Sequence, residues 1–140
     1  MKQIPVIFWT GTGNTQMMAD AVAEAINAAG AEAVVKNVSE ITADEAAGYD
    51  ALALGCPAMG AEVLEECEFE PFFTELEGKL AGKKVALFGS YGWGGSYMQD
   101  WEARVKDAGA TLVADGVLAL GAPDDEAMAQ LTEAGKLLAE

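Results

Sequence analysis

Thr10, Thr12 and Thr15 alternate with Gly11 and Gly13, and Asn14 joins them, so six consecutive residues carry three hydroxyls and one amide. They follow an apolar run, Val6-Ile7-Phe8-Trp9, and precede an Ala-rich stretch, 16–29, with helical spacing. A strand that turns through such a segment into a helix start is suited to a phosphate. Backbone N–H groups and the positive end of the helix dipole converge there, and glycine lets the chain come close or take positive φ. No Lys or Arg lies between Lys2 and Lys36, so neutral donors alone would hold the anion. A Walker A loop, which needs Gly-Lys-Ser/Thr, is excluded, as is a dinucleotide fingerprint, which needs Gly where Gln16 stands. The same turn also reads as an ordinary strand-to-helix connection capped by Thr and Asn.

Two further segments have the composition of ligand loops. Gly55-Cys56-Pro57-Ala58-Met59-Gly60-Ala61-Glu62 brackets a Met between Pro and Gly, a tight turn able to take more than one backbone conformation. Gly89-Ser90-Tyr91-Gly92-Trp93-Gly94-Gly95 sets two aromatics among four glycines. Trp93 has little core to fill on such a loop, and covering a planar ligand suits it better. Tyr97 and Trp101, at helical spacing, read instead as core.

The elements that must position these loops alternate along the chain. A strand whose paired part begins at Val6, after Pro5, leads into the helix at 16–29, which Gly30 stops. Ala33-Val34-Val35 is a short strand, and Thr42 with Glu45 makes a capping box for a short helix ending at Gly48. The apolar runs 51–54 and 85–88 read as strands buried on both faces. Helices are expected at 71–80, with Pro71 in the first turn, at 96–108 and at 124–140, and a last strand at 111–120. Five strands alternating with helices imply an α/β fold, a doubly wound parallel sheet in one domain spanning 1–140. Its ligands are expected beyond the carboxyl ends of the strands, where strand order reverses.

The 140 residues are 51% hydrophobic, enough for a real core. With 8 Lys and Arg against 23 Asp and Glu, the net charge of -15 disfavours nucleic acid and anionic membranes and favours a basic protein partner. There is no His, which removes the usual general base and the commonest metal ligand. Cys56 and Cys67 lie too far apart for a CxxC motif, so zinc and iron–sulfur sites are not expected. Reduced thiols and a cytoplasmic protein are. The N-terminal apolar run is too short for a signal segment or a membrane span.

The three loops, in this order in a short acidic chain, closely resemble flavodoxin of the short-chain class, strand order 2-1-3-4-5, and the resemblance runs essentially end to end. It implies a monomeric electron carrier that is not an enzyme. Such a protein holds FMN non-covalently and cycles mainly between semiquinone and hydroquinone at low potential. By similarity, Thr10, Gly11, Thr12, Gly13, Asn14 and Thr15 hold the FMN phosphate. Met59 and Trp93 flank the isoalloxazine faces, with Pro57, Ala58 and Gly60 completing the first of these loops. Glu62 accepts from flavin N3–H, and the backbone of Gly89, Ser90, Tyr91, Gly92 and Trp93 serves the pyrimidine edge. The peptide between Met59 and Gly60 is expected to rotate on reduction. Reductases and ferredoxin-dependent enzymes are the implied partners, steered by the acidic run between Asn37 and Gly78. A flavin-dependent quinone or NAD(P)H oxidoreductase on the same fold is the alternative. A phosphoacceptor module would need carboxylates where Trp9 and Thr10 stand.

Overall fold

In a computed structural model describing residues 2–9, 13–57, 68–91 and 96–140, the alternating pattern becomes a layered α/β architecture. In order come β1 (Gln3–Phe8), α1 (Asn14–Ala28), β2 (Glu32–Asn37), a short 3-10 turn (Val38–Glu40) and α2 (Ala43–Ala46). They are followed by β3 (Ala51–Gly55), α3 (Phe69–Glu77), β4 (Lys84–Tyr91), α4 (Ser96–Asp107), β5 (Thr111–Leu112), β6 (Val117–Leu120) and α5 (Asp125–Ala139). All strand pairs are parallel and run in the order β2-β1-β3-β4-β5, with β6 also pairing with β4.

Strand alternation divides the core in two. Ile4, Val6, Phe8, Ala53, Ala86 and Phe88 pack with Met18, Val22 and Ile26 of α1 and Leu131 and Leu138 of α5. Ile7, Leu52, Leu54, Val85 and Leu87 face the other way, onto Phe69, Phe73 and Leu76 of α3 and Tyr97, Trp101 and Val105 of α4. The continuous apolar run of β3 is therefore buried throughout, as a central parallel strand requires.

Caps set several boundaries. Thr42 Oγ1 accepts from Glu45 N at 3.1 Å while Glu45 Oε1 accepts from Thr42 N at 3.1 Å, which is the expected capping box. Asp124 accepts from Ala127 N at 2.8 Å and opens α5. Asn37 with Glu40 forms a second capping box, which the sequence reading passed over.

Three expectations are corrected. Pairing of β1 with β2 starts at Gln3, not Val6, and only the ladder to β3 begins at Val6. Lys2 O accepts from Glu32 N on the β2 side and Trp9 N donates to Gly55 O on the β3 side. Alternation therefore points the nitrogen of Pro5 towards β3 just before that ladder begins, where no N–H is needed. Second, β4 runs on through Gly89, Ser90 and Tyr91, because these residues pair with Leu118, Ala119 and Leu120 of β6. Third, the last strand is two strands. Val85 to Phe88 is three steps along β4, but the partners Leu112 and Val117 are five apart, so residues 113–116 form an excursion. Glu102 Oε2 closes it by accepting from Gly116 N at 2.7 Å. Among the described residues, no helix is long and apolar enough to cross a membrane.

Candidate functional site

β1 lies between β2 and β3, so successive connections leave it in opposite directions and strand order reverses there. The carboxyl ends of β1, β3 and β4 consequently lie side by side. Trp9 N donates to Gly55 O at 3.0 Å, and Cys56 N donates to Phe88 O at 3.1 Å, so the ladder continues just past β3.

Gly13 caps α1 at φ 93, in the left-handed region that glycine enters without strain. A Cβ there would meet no described atom within 4 Å. No acidic residue occupies the first turn of α1, although the chain is strongly acidic. Behind this turn Thr15 is buried and its Oγ1 lies 3.5 Å from Ser90 Oγ, itself buried in β4. Of the expected phosphate residues, Gly13, Asn14 and Thr15 are thus at the helix start. Thr10, Gly11 and Thr12 lie outside the described residues.

The second and third loops are represented by their roots. Pro57 is half-buried after β3. Gly89 lies in β4 where a Cβ would strike both Cys56 O and the Tyr97 hydroxyl. Tyr91 ends β4, its carbonyl accepting from Gly121 N at 3.1 Å. Ala58, Met59, Gly60, Glu62, Gly92 and Trp93 lie outside the described residues, as does Cys67. Cys56 is buried, and its Sγ lies 3.5 Å from Pro57 O.

Tyr97 and Trp101 are buried as expected, with rings stacked at 6.4 Å and Trp101 edge-on to Phe69 and Phe73. The sequence reading missed a hydrogen bond: the Tyr97 hydroxyl donates to Cys56 O at 2.8 Å. Burial, and then the neighbouring Cys56, push the Tyr97 hydroxyl well above its usual pKa, so it remains a donor. Trp9 is half-buried and donates from Nε1 to Glu68 Oε1 at 3.3 Å.

The acidic run is less bare than its sequence implies. Arg104 of α4 bonds Glu70 at 2.7 and 2.9 Å and Glu77 at 3.0 and 3.1 Å, with its guanidinium 4.7 Å over the Phe73 ring. Hydrogen bonding from Arg104 holds the Glu70 carboxyl below its usual pKa. Lys79 reaches Asp44 at 3.4 Å. The seven-residue spacing of Glu70 and Glu77 on one helix face was the available signal for a shared partner. Among the described residues no cluster of acidic and Cys side chains could hold a metal.

This donor set fits a phosphate monoester: a helix start without acid, a left-handed glycine where a Cβ would meet no described atom, and two buried hydroxyls turned to one another. The flavodoxin family model matches residues 6–135. Flavodoxin of Clostridium beijerinckii is 47% identical over 135 residues, covering 96% of this chain and 97% of that one. Flavodoxin of Megasphaera elsdenii is 47% identical over 116 residues, covering 82% and 85%. The solution structure of two-electron reduced Megasphaera elsdenii flavodoxin superposes with a TM-score of 0.90 at 43% identity, covering 97% of this chain and 98% of that one. The chain therefore belongs to the flavodoxin family. It is an FMN-binding electron carrier, not an enzyme with a substrate of its own, and redox proteins are its partners.

Proposed function

We propose that residues 1–140 form one FMN-binding unit in which Thr10, Gly11, Thr12, Gly13, Asn14 and Thr15 hold the phosphate. Pro57, Ala58, Met59, Gly60 and Glu62, with Gly89, Ser90, Tyr91, Gly92 and Trp93, enclose the ring. The observation that carries this is the Thr15–Ser90 pair. Two buried hydroxyls at 3.5 Å bond one another weakly, so each gains from a strong acceptor at the adjoining helix start. The bound cofactor supplies one-electron chemistry. The residues of the chain orient it, shield it from water and set the local charge.

The net charge of -15 disfavours added negative charge, so we place the working couple at low potential. It also suits brief, salt-sensitive docking of basic faces on reductases and ferredoxin-dependent enzymes. A monomer in the reducing cytoplasm accords with a chain that carries only two cysteines, eleven positions apart. Titration with FMN, riboflavin and inorganic phosphate tests the assignment. FMN should bind far more tightly than riboflavin, since only FMN engages the 10–15 turn. Equal affinities would remove the phosphate role of that turn.

A further inference from the structure

The root of the loop after β3 is tied to the helix that follows the loop after β4. Cys56 is the last residue of its strand's ladder, bonded through N to Phe88 O, and its carbonyl accepts from the Tyr97 hydroxyl in the first turn of α4. That bond crosses directly over Gly89, where a Cβ would collide with both partners. Tyr97 and Cys56 are both buried, so no water competes for the bond. One hydroxyl thus joins the end of β3 to the start of α4, with Gly89 of β4 between them.

We propose that Tyr97 is a positioning residue for the cofactor: by holding the Cys56 carbonyl over Gly89, it fixes where the chain leaves β3 relative to the start of α4. The inference rests on the reading that those two loops enclose the FMN ring. With the root tied, the end of β3 is fixed against the start of α4 before the ligand arrives. Without it, part of the binding energy is spent on fixing those two chain ends. The role is separable from core packing, because the Tyr97 ring stacks on Trp101 and Phe would keep that contact.

The test compares the FMN-loaded wild-type chain, Tyr97→Phe and Val105→Ala, diluted until flavin fluorescence reports release. Val105 is buried in the same helix, and its truncation serves as the packing control. Tyr97→Phe should raise the FMN and riboflavin dissociation constants by the same factor, about fivefold, the equivalent of one ordinary hydrogen bond. Val105→Ala should lower the melting temperature and leave both constants at the wild-type value. Wild-type affinity in Tyr97→Phe, or equal weakening by Val105→Ala, would overturn the inference while leaving the FMN site intact. A wild-type chain that retains no FMN would overturn the site itself.

Discussion

Thr15, in the first turn of α1, and Ser90, near the end of β4, are 75 positions apart in sequence, and their buried hydroxyl oxygens stand 3.5 Å from each other. Burial of two polar groups with so long a mutual contact is costly unless a third partner completes them. Under the assignment proposed above, that partner is the cofactor phosphate. Thr15→Val, which keeps the shape and removes the donor, should therefore weaken FMN about fivefold, or about 1 kcal/mol. The melting temperature of the FMN-free chain should hold steady. Fluorescence dilution and thermal melts separate the two effects, and loss of stability without loss of affinity would assign Thr15 to the core alone.

Arg104 holds α3 against α4 through two carboxylates. Arg104→Met would leave Glu70 and Glu77 half-buried and uncompensated, at a cost of about 1–3 kcal/mol, and adding Glu70→Gln with Glu77→Gln should recover most of it. The sign with pH follows from Glu70. Its folded-state pKa is depressed below the ordinary 4.5, so the stability it contributes is present above that value and lost as pH falls through the folded one. The wild-type advantage over Arg104→Met in thermal melts should be constant at neutral pH and shrink below about pH 4.5. An advantage that persisted unchanged in acid would rule out the carboxylate pairing as its source.

The acidic side chains, which outnumber Lys and Arg by 23 to 8, should act on the lower of the two one-electron potentials. A like charge about 10 Å away costs roughly 0.4 kcal/mol in water. About 1.4 kcal/mol corresponds to about 59 mV for one electron, so each such charge contributes roughly 17 mV. Added salt should raise this potential by screening, as followed by spectroelectrochemistry. A salt-independent value would remove acidity as its cause.

Asp124 caps α5 through Ala127 N. Asp124→Ala should cost about 1 kcal/mol in urea unfolding with little effect on FMN affinity. A larger loss of affinity than of stability would place this helix start in the cofactor site.

What the sequence disclosed depended on how local each signal was. The run 51–54 was legible because a strand buried on both faces needs no partner to be recognised, and the Thr42–Glu45 box because both halves lie three residues apart. The start of α1 was placed two residues late because its cap is Gly13, which carries no capping side chain. α3 likewise starts at Phe69, two residues ahead of the expected boundary, with Pro71 still in its first turn. Gly89-Ser90-Tyr91 looked like loop because its strand character comes from pairing with β6. The Tyr97–Cys56 bond and the Arg104 clamp join residues 41, 34 and 27 positions apart, a separation on which composition and periodicity are silent. The order of the three loops was legible because loop chemistry is written locally in Gly, Pro, Thr and Trp.

Titration of the chain with FMN, followed by quenching of flavin fluorescence, tests the central claim most directly. The account predicts saturation at one FMN per chain, with riboflavin binding much more weakly and acid releasing the bound flavin unmodified. Fluorescence that stayed unquenched at every FMN concentration would contradict it.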